Sequence, residues 1–217
     1  RQVCLFEEAC VLLAGAKQLR FILEFWDEQE DSVRLAYELL QKYGLVPRVL
    51  AWGSPESKKI QDWCRATCTE IPIIVTFRQA FGIWTYWNLG LLSCGYSLAS
   101  FFRPPSGVPA DAGMPKVVFN ALYVGELLHP AICKLCKLDP EKAPVKSALI
   151  SGVLRCLRAW TDTPRLYEFL ATKHGVPTVL FLANTAADIE HLAAYKGVAA
   201  IQTDFPRRFM DRLSMAA

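Results

Sequence analysis

The chain has 217 residues, of which 53% are hydrophobic, so a substantial core is expected and disorder is excluded. Its 24 basic and 21 acidic residues leave a net charge of +3. No basic stripe stands out, which argues against nucleic acid as a partner.

The first 20 residues place Glu7 and Glu8 inside an apolar stretch, which is not the pattern of a secretory signal. "RFILEF" (20–25) reads as a short strand with a carboxylate, Glu24, in an apolar run. Burying such a group unpaired is expensive or forces it to take up a proton. "EDSVRLAYELLQKYG" follows as a helix with Val33, Ala36, Tyr37 and Leu40 on one face and Gly44 as its stop. "PRVLAW" (47–52) is a second strand. "GSPESKKIQDWCRA" is a second helix, with Ser54 expected as N-cap and Pro55 at the first helical position.

"IPIIVTF" (71–77) reads as the third strand. Residues 80–102 carry no charge and are flanked by Arg78 and Arg103. Three readings stay open for them: interfacial insertion in a membrane, a true span, or a helical insertion packed on the domain. Trp84, Tyr86, Trp87 and Tyr96 suit an interface, and Thr85, Asn88, Ser93, Ser97 and Ser100 favour packing. The proline- and glycine-rich "RPPSGVPADAGMP" (103–115) closes the excursion, so 78–116 is expected as a hydrophobic insertion in a single domain covering 1–217.

"PKVVFNALY" (115–123), "VPTVLFLA" (176–183) and "GVAAIQTDFP" (197–206) complete six strands, with the helix "AADIEHLAAYK" before the last. Mostly continuous apolar runs point to a parallel sheet covered by helices. The fold class expected is α/β, with a barrel of eight βα units as the closed solution and six of its eight strands present.

Ligands sit at the carboxyl ends of parallel strands. Glu24 and, just beyond it, Asp27 are there, and a carboxylate in that place suits a hard cation such as Mg²⁺ or Ca²⁺. Pairing of Glu24 with an Arg or Lys of a neighbouring strand is the structural alternative. Asp204 and Asn184 also follow strands, and each serves equally well as a turn former or cap. His129, His174 and His191 all fall in or beside helical segments. No G-x-S-x-G, P-loop or G-x-G-x-x-G occurs. Eight scattered cysteines read as buried free thiols, and the single C-x-x-C at Cys133 and Cys136 is a weak zinc signal.

The order of these motifs resembles the glycerophosphodiester phosphodiesterases. "LFEEACVLL…RFILEF" is similar to their L-E-E helix and I-E-I-K strand, and "LLQKYGLVPRVLAWGSPESKKI" to their Y-G-L-x-x-R-V helix and strand. "TEIPIIVTF" is similar to their D-I-P strand, and "VPTVLFLANTAADIEHLAAYKGVAAIQTDFP" to their closing W-x-V-N…G-V-D-G-I-x-T-D-x-P. The uncharged insertion resembles the membrane-associated animal branch that acts on lysophospholipids and N-acyl ethanolamine lipids. The resemblance runs in order from about residue 3 to residue 213, with the insertion and 124–164 matching poorly.

The resemblance implies a metal-dependent TIM barrel that hydrolyses a glycerophosphodiester or lysophospholipid. Glu24 would ligate the divalent metal, Mg²⁺ or Ca²⁺, and Phe181 would stand near the aromatic wall beside the substrate. Trp26 takes the place of the family's lysine, which removes a cation expected near the phosphate. An intracellular, membrane-associated protein is implied, at the endoplasmic reticulum or another cytoplasmic membrane surface, with residues 80–102 as the membrane approach. The family's H-R-G, E-x-D and catalytic histidine are not in this sequence. With Arg1 in place of a starting Met, the N-terminal portion is expected to be missing. The alternative is a catalytically inactive, truncated or degenerate relative that binds membranes or a partner.

Overall fold

The computed structural model describes residues 5–102, 115–122, 132–134, 136–137, 139, 141–181 and 185–202. They form a mixed α/β structure, and its contacts group into two compact units. The first holds residues 1–83 and 91–118, the second 84–90 and 119–217.

In the first unit, helix α1 (Phe6–Gly15) starts where the Glu8 carboxylate accepts the Leu5 amide at 2.9 Å. Strand β1 is Phe21–Glu24. Helix α2 (Glu30–Lys42) has Glu30 and Asp31 in its first turn and Lys42 in its last, each favourable to the helix dipole. It buries Val33, Ala36 and Leu40, as the periodicity predicts, and Gly44 at φ 64 ends it.

Strand β2 (Val49–Gly53) leads to α3 (Lys58–Thr67). Here the cap differs from expectation. Ser57, not Ser54, accepts the Ile60 amide, because Ser54 is used one turn earlier to receive the Glu56 and Ser57 amides. Strand β3 is only Ile73–Ile74, and the expected strand residue Phe77 already opens α4 (Phe77–Asn88).

The pairings in this unit are parallel: β1 with β2, β2 with β3, and β3 with the start of β4 (Val117–Leu122) through Val117 and Val118. Trp52 of β2, fully buried, packs against Tyr37 of α2 at 5.9 Å and Phe25 at 6.3 Å. That ring marks the helix-covered face of the strands.

In the second unit, the rest of β4 pairs with β5 (Thr178–Phe181), and β5 with β6 (Val198–Gln202), again in parallel. Helices α5 (Pro144–Thr161) and α6 (Pro164–His174) each place Pro in the first helical turn, and Gly175 at φ 62 closes α6. Neither belongs to a stretch the sequence had marked clearly. Helix α7 (Ala186–Ala193) begins with a reciprocal cap between Thr185 and the buried Asp188. Phe119 of β4 is buried between Trp84, at 5.4 Å, and Tyr167 of α6, at 6.3 Å. Among the described residues the six strands therefore follow one another in chain order, and their pairings are parallel.

Candidate functional site

Strand alternation fixes where Glu24 points. Leu23 is in register with Trp52, and Phe25 touches the Trp52 ring, so these three share the helix-covered face. Glu24, in register with Gly53, lies on the other face at the carboxyl end of β1. Its carboxyl is half-buried, and burial raises its pKa above the ordinary value of 4.5. Among the described residues it forms no ion pair or hydrogen bond, so the expected alternative of a neighbouring Arg or Lys is not found there. Gly53 beside it has φ +133, a conformation that only glycine adopts easily, and it leaves no side chain against the carboxylate.

The other carboxylates near this end are already engaged. Glu28 accepts a 2.6 Å hydrogen bond from the Ser57 hydroxyl, and Asp27 accepts one of 2.8 Å from Ser32. Both therefore hold loop to helix. Among the described residues no group of three or more His, Cys, Asp or Glu side chains is placed to hold a metal ion. One carboxylate does not make a site for Mg²⁺ or Ca²⁺, which take six or more oxygen ligands. The described residues thus do not by themselves fit the divalent cation that the resemblance implies.

A polar cluster at the end of β3 was not expected. Thr76 and Gln79 form a capping box: Gln79 Oε1 accepts the Thr76 amide at 2.9 Å, and Thr76 Oγ1 accepts the Gln79 amide at 3.3 Å. Gln61 of α3, buried, donates to Gln79 Oε1 at 2.9 Å and to the Ile74 carbonyl at 2.7 Å. Gln79 Nε2 returns a bond to Gln61 Oε1 and donates to the Phe101 carbonyl. The T-x-x-Q spacing at 76–79 was the signal that could have found it.

Trp26 is 67% exposed and stands beyond the strand rather than walling a cleft. Phe181 belongs to the second unit, at the last position of β5, partly exposed. By alternation it lies on the face away from Phe119, with Asn120 of β4 on the same face. Asn120 is 4% exposed, and its Oδ1 has no hydrogen-bond partner among the described residues. Sequence reasoning passed over it because it sits inside a continuous apolar strand. Asn184 and Asp204 lie outside the described residues.

The histidines do not gather at a strand end among the described residues. His174 ends α6 with its ring edge-on to Phe169 at 5.1 Å, and His129 lies outside the described residues. His191 stands 3.5 Å from Asp162, and the Tyr195 hydroxyl hydrogen-bonds to both. That cluster ties the last turn of α7 to the start of the α6 connection. Cys10, Cys64, Cys68 and Cys133 are buried as expected, whereas Cys94, Cys136 and Cys156 are exposed. Burial pushes the Cys64 thiol up to about 12, so it is no nucleophile at neutral pH.

Residues 80–102 form most of α4, a turn, and a 3-10 helix at Leu98–Phe102. Ala80, Ile83, Trp84, Leu92, Leu98 and Phe102 are buried, while Phe77 and Phe81 of α4 stay exposed. Among the described residues no helix is long and apolar enough to cross a membrane.

No family model, curated protein or solved structure matches the chain.

Proposed function

We propose that the chain is part of a (β/α)8-type barrel related to the glycerophosphodiester phosphodiesterases, acting on glycerophosphodiesters or lysophospholipids. In this reading Glu24 is one oxygen ligand of a divalent cation, Mg²⁺ or Ca²⁺, and Phe181 and Trp26 lie along the approach of the substrate. Residues 80–102 meet an intracellular membrane surface, with the exposed Phe81 near their start. The remaining metal ligands and the proton-transfer groups must come from residues other than those described.

The observation that carries the reading is Glu24 itself: a half-buried carboxylate at a strand's carboxyl end, unpaired among the described residues. A group kept there without a partner is explained by a cation that offsets its burial. Parallel strands in unbroken chain order support the barrel, because an open doubly wound sheet reverses its order at the ligand crevice. The second reading, a relative without activity, is favoured by Trp26 in place of the family's lysine and by the lack, among the described residues, of a group of three or more metal-ligating side chains.

Titration calorimetry with Mn²⁺, Mg²⁺ and Ca²⁺ on the chain and on Glu24→Gln separates the two, with choline release from lysophosphatidylcholine as the activity readout. Binding that Glu24→Gln abolishes supports the metal ligand. Binding without choline release favours the inactive relative, and equal binding by both proteins removes Glu24 from the site.

A further inference from the structure

Helix α5 (Pro144–Thr161) is apolar on two sides. Its inner side presents the buried Leu154 and Thr161 to the second unit, with Ile150 and Leu157 partly covered. On the opposite side Val145, Leu149 and Val153 are 81%, 69% and 60% exposed. These three recur every fourth residue, so they form a stripe along one face, about 12 Å long at 1.5 Å per residue. Ala148, Gly152 and Cys156 are exposed beside them and add no polar group stronger than a thiol. A helix apolar on two opposite sides ordinarily buries both, yet this one leaves one of them facing outward.

Charge says what covers it. Between Pro144 and Thr161 the helix carries Lys146, Arg155 and Arg158 and no carboxylate. At about 100° per residue, Lys146 falls on one border of the stripe and Arg155 on the other. Both are exposed, and their long aliphatic stems allow the cations to reach past the stripe while the apolar side chains go deeper. A second copy of α5 laid on the first would bring cations against cations with no acidic residue on either helix to relieve them. An anionic surface with an apolar interior meets both features at once.

We propose that α5 is an interfacial helix that binds anionic lipid bilayers, with Val145, Leu149 and Val153 among the upper acyl methylenes and Lys146 and Arg155 on headgroup phosphates to either side. The stripe is made of residues other than 80–102, although Asn88 donates to the Trp160 carbonyl near the end of α5, and it needs no phosphodiesterase activity. Each basic side chain adds electrostatic attraction that salt screens, and the stripe adds apolar burial that salt leaves in place.

The test is flotation of the full chain with phosphatidylcholine vesicles and with phosphatidylcholine–phosphatidylserine vesicles, at low and raised ionic strength. The variants are Leu149→Glu, the pair Lys146→Glu with Arg155→Glu, and Phe81→Glu as the comparator. All four positions are exposed, and circular dichroism checks that each variant folds. The chain should float with the phosphatidylserine vesicles and bind phosphatidylcholine far less. Leu149→Glu should weaken partitioning about tenfold or more, and the charge-reversed pair at least about twenty-five-fold at low salt. Phe81→Glu, at the membrane contact of residues 80–102, should weaken it far less than Leu149→Glu does.

Equal binding of Leu149→Glu and the parent chain overturns the proposal. Loss of binding in Phe81→Glu alone also overturns it and assigns the membrane contact to residues 80–102, which leaves the functional reading above intact. A dimer that Leu149→Glu dissociates, with no vesicle binding by either protein, makes a second copy the occupant instead.

Discussion

Gln61 and Gln79 exchange reciprocal amide hydrogen bonds, Nε2 of each to Oε1 of the other, at 2.9 and 3.2 Å. Gln61 is on α3 and Gln79 on α4, and between them they satisfy the Ile74 carbonyl, the Phe101 carbonyl and the Thr76 amide. Five polar groups are thus paired where the chain leaves β3. Replacing Gln61 by leucine leaves Gln79 short of a partner and strands the Ile74 carbonyl, and replacing Gln79 leaves Gln61 short and strands the Thr76 amide and the Phe101 carbonyl. Each single change, Gln61→Leu or Gln79→Leu, should cost about 1–3 kcal/mol, and the double variant should cost less than the sum by about 0.5–3 kcal/mol. Urea denaturation of the four proteins measures the cycle; additive losses would show that the amide pair is not coupled.

Glu24 gives a prediction with a definite sign. Its folded pKa lies above the ordinary 4.5 because burial penalises the charged form. Between that ordinary value and the folded pKa, the native state binds more protons than the unfolded chain. Stability from this group is therefore present at low pH and lost as pH rises through the folded pKa. The difference in unfolding free energy between Glu24→Gln and the parent chain should grow from pH 4.5 upward, in favour of the glutamine protein, when no divalent cation is present. A difference independent of pH would mean that Glu24 is not desolvated.

Two glycines separate a rigid neighbour from a yielding one. A Cβ on Gly197 would lie 2.2 Å from the Tyr167 carbonyl oxygen and 2.5 Å from its carbon, and Gly197 itself has φ +83. Backbone on both sides cannot step aside. A Cβ on Gly82 would meet Phe101 Cε1 at 2.8 Å, which is a ring edge that can turn. Gly197→Ala should therefore lower stability by about 3 kcal/mol or more, and Gly82→Ala by about 1 kcal/mol. Thermal melts of the two proteins decide it, and a Gly197→Ala protein as stable as its parent would refute the close approach.

Much of this architecture was legible from apolar runs and helical faces. Val33, Ala36 and Leu40 are buried together because a period near four leaves little choice of face. The strands were located but drawn too long. "IPIIVTF" has seven strand-like residues, yet only Ile73 and Ile74 pair, because Thr76 and Gln79 form a cap that starts α4. Residues 80–102 read as a candidate span from their lack of charge, whereas their apolar side chains divide between burial and exposure on a 12-residue helix and a 3-10 turn. The Glu24 position was legible, since one carboxylate in an apolar strand is conspicuous. The engagement of Asp27 by Ser32 was not, because a loop carboxylate has the same sequence signature whether it binds a hydroxyl or a cation. Tyr195 and His191 are four residues apart, but Asp162, which both approach, is about 30 positions away and follows no local period.

Arg48 holds the end of α1 and the approach to β1 with one side chain. Its guanidinium donates to the carbonyls of Leu13 at 2.6 Å and Leu19 at 2.8 and 2.7 Å, and also to Ala16. They belong to the last helical turn and to the segment leading to β1, where the Leu13 and Ala16 carbonyls each also accept one backbone amide, from Ala16 and Leu19. A planar fork with five donors spans three acceptors; an ammonium on a flexible stem does not. Helix α1 has only 10 residues, too few to persist without such support. Arg48→Lys keeps the charge and should still cost about 1–3 kcal/mol. Hydrogen exchange locates the loss: amides of Cys10 to Leu13 should speed up well before those of Ala51 and Trp52 in β2. Uniform acceleration across both would show that Arg48 supports the whole unit, and no acceleration would show that the fork carries nothing. The outcome bears on Glu24 as well, since the Leu19 carbonyl fixes where β1 begins and so where its last residue points.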